Sequence, residues 1–122
     1  MRQNAFNAIV ERQLYHCQKI LCQKADEYVT EGDRLSNFKT AAILQNMTPI
    51  QALGGMMAKH IVALYDFMEK DEKAYARWDE KITDTINYCL LLKALLAEYD
   101  IQEDTKYSDI NTLMESEKGF RV

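Results

Sequence analysis

Residues 78–88 of the chain, WDEKITDTINY, carry acids and an amide at helical spacing. On a helix that turns by about 100° per residue, the offsets of four, three and one residues place four polar side chains in one narrow sector: Glu80, Asp84, Asn87 and Tyr88. An apolar run, CLLLKALL, follows, so these groups lie at the edge of a buried region, where a carboxylate needs a partner. A metal ion, basic side chains of other helices, or the donors of a bound ligand would each serve. The other interpretation is an exposed charged turn with weak ion pairs.

A lysine and a histidine form a second candidate group, within the segment TPIQALGGMMAKHIVALYDF. Gly55 lies one helical turn before Lys59 on the same face and leaves space in which a phosphate could approach the ammonium group. An ordinary exposed lysine explains Lys59 equally well. His60 lies beside a stripe of methionines typical of core filling, where a histidine is more often a satisfied core residue than a ligand.

The segment GDRLSNFK links two stretches of helical periodicity and holds a third candidate group. Asp33 or Ser36 can cap the helix that follows, which explains both residues without any function. Arg34 and Asn37 are then left unexplained. An arginine in a loop beside a helix start is suited to a bidentate contact with a carboxylate or phosphate of a ligand. A salt bridge from Arg34 to one of the acids in WDEKITDTINY would satisfy the same observations.

These groups must be positioned by an all-α fold, because the chain has only four glycines and one proline in 122 residues. That length suits one domain with a single core. We expect a helical domain at residues 1–100 and a polar C-terminal extension at 101–122. Hydrophobic periodicity predicts four main helices and a short C-terminal one, at about residues 4–30, 37–45, 49–70, 71–99 and 108–114.

The clearest predicted boundary is the start of the third helix. Thr48 is expected as the N-cap, Pro49 as the first helical residue and Gln51 as the reciprocal partner of a capping box. Gly54 and Gly55 inside this helix cost about 1 kcal/mol each relative to alanine. We therefore expect a close approach of another helix or of a ligand to compensate.

Charge and cysteine usage narrow the function classes. A net charge of −4 disfavours polymeric nucleic acid and anionic membranes, so any phosphate site must come from a local cluster of cations. The chain begins without a signal-peptide pattern and has no apolar run long enough for a membrane span, which predicts a cytoplasmic protein. The three cysteines, Cys17, Cys22 and Cys89, have no paired spacing and are expected to be reduced core thiols.

Taken together, GDRLSNFKTAA, TPIQALGGMMAKHIVALYDF and WDEKITDTINYCLLLKALL resemble the nucleotide modification associated domain of small phage and bacterial proteins, over roughly residues 25–97. That family is similar to the all-α nucleoside triphosphate pyrophosphohydrolases of the MazG and dimeric dUTPase type, whose acidic helices bind magnesium. The resemblance implies a MazG-like helical bundle, a homodimer and a nucleotide site between helices. The positions that match are Asp33, Arg34, Asn37, Lys59, His60, Glu80, Asp84, Asn87 and Tyr88.

The chain departs from those enzymes in its charges. Magnesium needs several carboxylates facing one another. Lys81 stands where the second glutamate of an acidic pair is expected, and the third helix offers Lys59 and His60 in place of acids. Cations oppose a metal and suit phosphate, so the chain is better equipped to hold a nucleotide than to hydrolyse it.

The resulting hypothesis is a nucleotide-binding protein of phage type without efficient turnover. Phosphate would be bound by Arg34 and Lys59, next to His60, and base or sugar by Asn37, Asn87 and Tyr88. Glu80 and Asp84 would orient the cations or hold one Mg²⁺. One alternative is a magnesium-dependent nucleotide pyrophosphohydrolase in which these two acids are catalytic. The other is a phage anti-defence protein that sequesters a nucleotide signal or docks on a host defence protein.

Overall fold

The computed structural model describes the backbone of residues 1–23 and 32–103 and the side chains of residues 1–22 and 32–99. Four helices account for most of these residues: α1 (Gln3–Gln23), α2 (Ser36–Gln45), α3 (Pro49–Lys70) and α4 (Tyr75–Glu103). The all-α prediction is confirmed. Within this part of the chain, no helix combines the length and apolar character that a membrane span requires.

The start of α3 agrees with its sequence. The Thr48 hydroxyl accepts a hydrogen bond from the backbone N–H of Gln51, and the Gln51 side chain accepts one from the N–H of Thr48, with Pro49 as the first helical residue. This reciprocal pairing satisfies two amides that have no partner inside the helix. The predicted capping box is confirmed, and α3 ends at Lys70 as expected.

The predicted start of the fourth helix at Asp71 was wrong. Asp71 has a φ of 56° and its backbone N–H bonds to the carbonyl of Phe67, so it closes α3 instead. Three residues follow before α4 begins at Tyr75, and α4 runs through Glu103, beyond the predicted end at Tyr99.

The predicted caps of α2 were also wrong. Leu35 occupies the N-cap position, and it has no side-chain acceptor to offer. Asp33 lies two residues earlier, where its Oδ1 accepts from the Leu35 backbone N–H at 2.9 Å, a turn typical of aspartate. Ser36 is the first helical residue.

The core forms where α2, α3 and α4 meet. Its most buried apolar members are Leu35, Phe38, Leu53 and Leu95, and Met56, Met57, Tyr88, Leu91 and Leu92 pack against them. The second half of α4 carries the apolar run CLLLKALL. In the single chain, Leu90 and Leu96 remain nearly half exposed, so α4 buries mainly one face.

Helix α1 packs on α4 through a short polar seam. Gln13 Nε2 donates to Thr83 Oγ1 at 2.8 Å, and His16 Nδ1 lies 3.4 Å from Asp79 Oδ2. The later α1 residue meets the earlier α4 residue, so the two helices run antiparallel. Cys17 is buried beside this seam.

Two expectations about burial concern the cysteines and the glycines. Cys22 and Cys89 are exposed, so of the predicted core thiols only Cys17 lies in the core. A Cβ built on Gly54 or Gly55 would have nothing within 4 Å among the described residues, so no described helix makes the expected close approach, and the approach of a ligand stays a prediction. The predicted end of the first helix near residue 30 and the helix at 108–114 lie outside the described residues.

Candidate functional site

A cleft of about 830 Å³ lies between the C-terminal end of α1, the turn before α2, and the facing sides of α2, α3 and α4. Its polar wall residues are Arg34, Asn37, Thr40, His60, Asp84, Asn87 and Tyr88, and its apolar ones include Ile20, Leu21, Phe38, Met56 and Leu91.

The structure brings together six of the eight residues that the sequence nominated as site residues. Arg34 and Asn37 come from the α2 region, His60 from α3, and the α4 sector contributes its last three members, Asp84, Asn87 and Tyr88. The remaining two, Lys59 and Glu80, are exposed and do not line this cleft. Both still act on it electrostatically, because their charges influence the pKa of His60.

The inner wall of the cleft is formed by α3 and α4. His60 is 8% exposed and Asn87 is 6% exposed, although both side chains are polar. The His60 ring packs against the Tyr88 ring, with centroids 5.2 Å apart and the planes tilted by 35°. Asp84 is partly exposed beside them.

The surroundings of His60 favour its neutral form. Its Nδ1 lies 3.6 Å from Asp84 Oδ2, beyond hydrogen-bond distance, and has no hydrogen-bond partner among the described residues. Burial lowers the pKa of His60, and the charges of Lys81 and Lys59 act in the same direction. The carboxylates of Asp84 and Glu80 oppose this effect without reversing it.

Asn87 presents a second unsatisfied atom on the same wall. Its Oδ1 is buried and accepts no hydrogen bond from the described residues. Leaving a buried acceptor unpaired costs on the order of 1–3 kcal/mol, so native proteins rarely keep one without a reason. A carboxamide oxygen in this position can accept a hydrogen bond from a molecule in the cleft.

The outer wall starts with the turn that carries Arg34. This turn is anchored on both sides: Asp33 Oδ1 accepts from the Leu35 N–H, and Asp33 Oδ2 pairs with Lys39 Nζ at 2.7 Å. The same ammonium group pairs with Glu98 Oε1 on α4 at 2.5 Å. The hydrogen bond from Lys39 and then that from Leu35 hold the pKa of Asp33 below its usual value. Arg34 is half-buried at the cleft.

The donors for a metal ion are sparse in the described residues. Asp84 is the sole carboxylate among the described wall residues, and no group of three or more His, Cys, Asp or Glu side chains there is placed to hold a metal. Asp84 and a ligand phosphate could share one Mg²⁺, since this ion keeps several waters and uses few protein carboxylates.

Sequence reasoning missed the apolar part of the cleft and, apart from Asn37, one face of α2. Asn37, Thr40, Ala41 and Leu44 follow one another at offsets of three, one and three and line the cleft together. That helical spacing was visible in the sequence and could have identified the face. The contribution of Ile20 from α1 could not be foreseen, because it depends on how α1 docks.

The described residues form an all-helical fold with a cleft whose inner wall is polar and whose outer wall carries an arginine. Comparison of the chain with models of known families, with curated proteins and with solved structures found no match.

Proposed function

We propose that the chain binds a nucleotide or a nucleotide-derived molecule in this cleft and does not turn it over efficiently. The observation that carries the proposal is the convergence of a guanidinium group, a histidine, a tyrosine and an asparagine from separate elements on one cleft. Its volume of about 830 Å³ lies in the range of small-molecule sites, roughly 300–1,000 Å³.

The chemistry of the walls supports this ligand class. Arg34 offers a planar, permanently charged donor set that matches phosphate oxygens. The rings of Tyr88 and His60, with Met56 beside them, offer apolar surface for a heterocycle. Asn37 and Asn87 supply amide groups for base or sugar. In this proposal Lys59 adds a positive field from outside the cleft and does not contact phosphate directly.

Isothermal titration calorimetry against nucleoside mono-, di- and triphosphates and cyclic dinucleotides, with and without Mg²⁺, tests the proposal. We expect saturable binding by at least one of them. Arg34→Gln should weaken it by about tenfold or more, because a charge-assisted contact is lost. Arg12→Gln is the control, since Arg12 is exposed on α1 and lies away from the cleft. Absence of heat for every compound removes the proposal.

One observation favours a catalytic alternative. Asp84 lies in the cleft next to His60, so an acid is available to hold one Mg²⁺ beside a bound triphosphate. A magnesium-dependent pyrophosphohydrolase would release pyrophosphate, and Asp84→Asn would abolish that release. Glu80, the other acid in this hypothesis, is exposed, so Glu80→Gln should reduce the release only slightly. Failure to detect pyrophosphate at high protein concentration excludes this alternative.

We also propose a MazG-like, homodimeric cytoplasmic protein of phage type. Exposed apolar side chains on α1 and α4, among them Phe6, Ile9, Leu14, Leu90 and Leu96, support a second copy as partner. Light scattering after size-exclusion chromatography measures the assembly; a monomer at micromolar concentration contradicts it.

Binding without turnover is also what an anti-defence protein would need to sequester a nucleotide signal of its host. Release of a bound nucleotide on denaturing the purified protein supports sequestration. Copurification of one host defence protein without any small molecule supports docking instead.

A further inference from the structure

We infer that the cleft selects a nucleotide whose base carries an exocyclic amino group, with the base against Asn87 on the inner wall and the phosphate at Arg34. This inference rests on the proposed function and names the ligand class within it. It is carried by the unpartnered, buried acceptor of Asn87 and by the difference in charge between the two walls.

Asn87 sets the hydrogen-bond requirement of the inner wall. Its side chain is more than nine-tenths buried, lines the cleft, and leaves Oδ1 unpaired within the described chain. An exocyclic amino group, which projects beyond the ring of the base, would reach and satisfy this buried oxygen, whereas a carbonyl at the same position would leave it unpaired and add repulsion between two acceptors. Sites of this kind discriminate strongly against analogues that lack the matching donor, because a buried group then stays unsatisfied.

The charges on the inner wall place the phosphate elsewhere. Burial disfavours a charge on His60 there, and the carboxylate of Asp84 lies 3.6 Å from its Nδ1. A phosphate pushed against this wall would lose water and meet a negative charge, and no lysine or arginine of α3 or α4 is among the described residues that line it. An uncharged, flat heterocycle meets no such opposition and gains contact with the Tyr88 ring.

The outer wall has the opposite character. Arg34 is only half-buried, and Asn37 and Thr40 on α2 are exposed, so an anion bound there keeps part of its hydration while it contacts the guanidinium group. The outer wall is therefore cationic, whereas the inner wall offers a hydrogen-bond acceptor.

The test uses pairs of nucleotides that differ only in the amino group, with the unmodified protein. Affinities are measured for adenosine and purine riboside 5′-monophosphates, and for cytidine and pyrimidin-2-one riboside 5′-monophosphates. In at least one pair, the compound with the amino group should bind about tenfold or more tightly, as expected for one buried hydrogen bond. Equal affinities within both pairs, or a preference for uridine 5′-monophosphate, overturn the inference and leave the proposed function standing. If no nucleotide binds, the proposed function fails first.

A pair of α4 variants separates recognition from stability. Asn87→Leu removes the unpaired oxygen, so the melting temperature should stay the same or rise while the preference for the amino group disappears. Thr83→Val is the control: Thr83 is equally buried on the same helix, but its hydroxyl is bonded to Gln13 and it does not line the cleft. This variant should lose stability and keep the preference. An Asn87→Leu protein that still prefers the amino group contradicts the inference.

Discussion

Replacing Lys39 by methionine should detach the Arg34 turn from α4 without opening a cavity. The lysine Nζ pairs with Asp33 Oδ2 at 2.7 Å and with Glu98 Oε1 at 2.5 Å, so one side chain ties the turn before α2 to the second half of α4. Methionine keeps most of the aliphatic stem and removes the charge. The variant therefore isolates the two ion pairs.

The expected loss of stability is small but measurable. The three charged side chains are 37–38% exposed, so solvent screening limits each ion pair to about 0.5 kcal/mol, and the two together to about 1 kcal/mol. For a domain of this size, this loss lowers the melting temperature by about 3–5 °C. Lys73→Met is the matched control, because Lys73 and its partner Asp71 are both more than 80% exposed and their pair should contribute nothing measurable.

The pH dependence identifies the ion pairs as the cause. Hydrogen bonding to Lys39 lowers the pKa of Asp33 in the folded state, so this stabilisation is present above the unfolded value of 3.8 and is lost as the pH falls through the folded value. Hydrogen bonds to Asp33 and Glu98 raise the pKa of Lys39, so its contribution is present below the unfolded value of 10.5 and is lost as the pH rises through the folded value. Urea denaturation at neutral pH and at about pH 3 measures the difference between variant and wild type.

Nucleotide affinity provides an independent readout of the same change. Arg34 follows Asp33 directly, so a turn that is no longer anchored should bind phosphate several-fold more weakly, and Lys73→Met should leave the affinity unchanged. Two results would refute the reasoning: equal destabilisation by both lysine substitutions, or a Lys39→Met effect of the same size at neutral pH and at about pH 3.

Three further predictions follow from the helix termini, the α1 seam and the inner wall. Thr48→Ala should cost about 1 kcal/mol in urea denaturation, since the α3 capping box is lost; no change contradicts it. Thr83→Val should cost about 1–2 kcal/mol, because the partly buried Gln13 amide loses its 2.8 Å acceptor; a variant as stable as wild type would show that this bond is not needed. By NMR, His60 should titrate below 6.5, because burial lowers its pKa; its contribution to stability is then present above the unfolded value and lost as the pH falls. Asp84→Asn should lower the midpoint further, and a midpoint above 6.5 would contradict the burial argument.

The sequence predicted a helix boundary correctly where interactions between neighbouring residues determine it. The start of α3 followed from Thr48, Pro49 and Gln51, whose mutual hydrogen bonds need no other part of the chain. The start of α4 was missed because a positive φ at Asp71 ends α3, and aspartate adopts that backbone conformation less often than glycine. Hydrophobic periodicity cannot detect a single residue of this kind.

Helical spacing predicted part of the cleft lining but not its extent. Helical spacing correctly placed Asp84, Asn87 and Tyr88 on one face, and the cleft uses all three. Glu80 lies on the same face one turn earlier, outside the lining, because spacing defines the face and not the length of a cleft. Lys59 precedes His60 by one residue, so the two side chains point about 100° apart around the helix axis. His60 is therefore buried while Lys59 is exposed.

The paired glycines in α3 have a consequence for how this helix can be used. Gly54 and Gly55 are exposed, and methyl groups added to them would touch nothing in the described chain. Relative to two alanines, the glycines lower the stability of the helix by about 2 kcal/mol, and no contact among the described residues compensates for this loss. What remains is a strip of bare main chain facing outward, on which the backbone of a neighbouring helix could rest more closely than side chains normally permit.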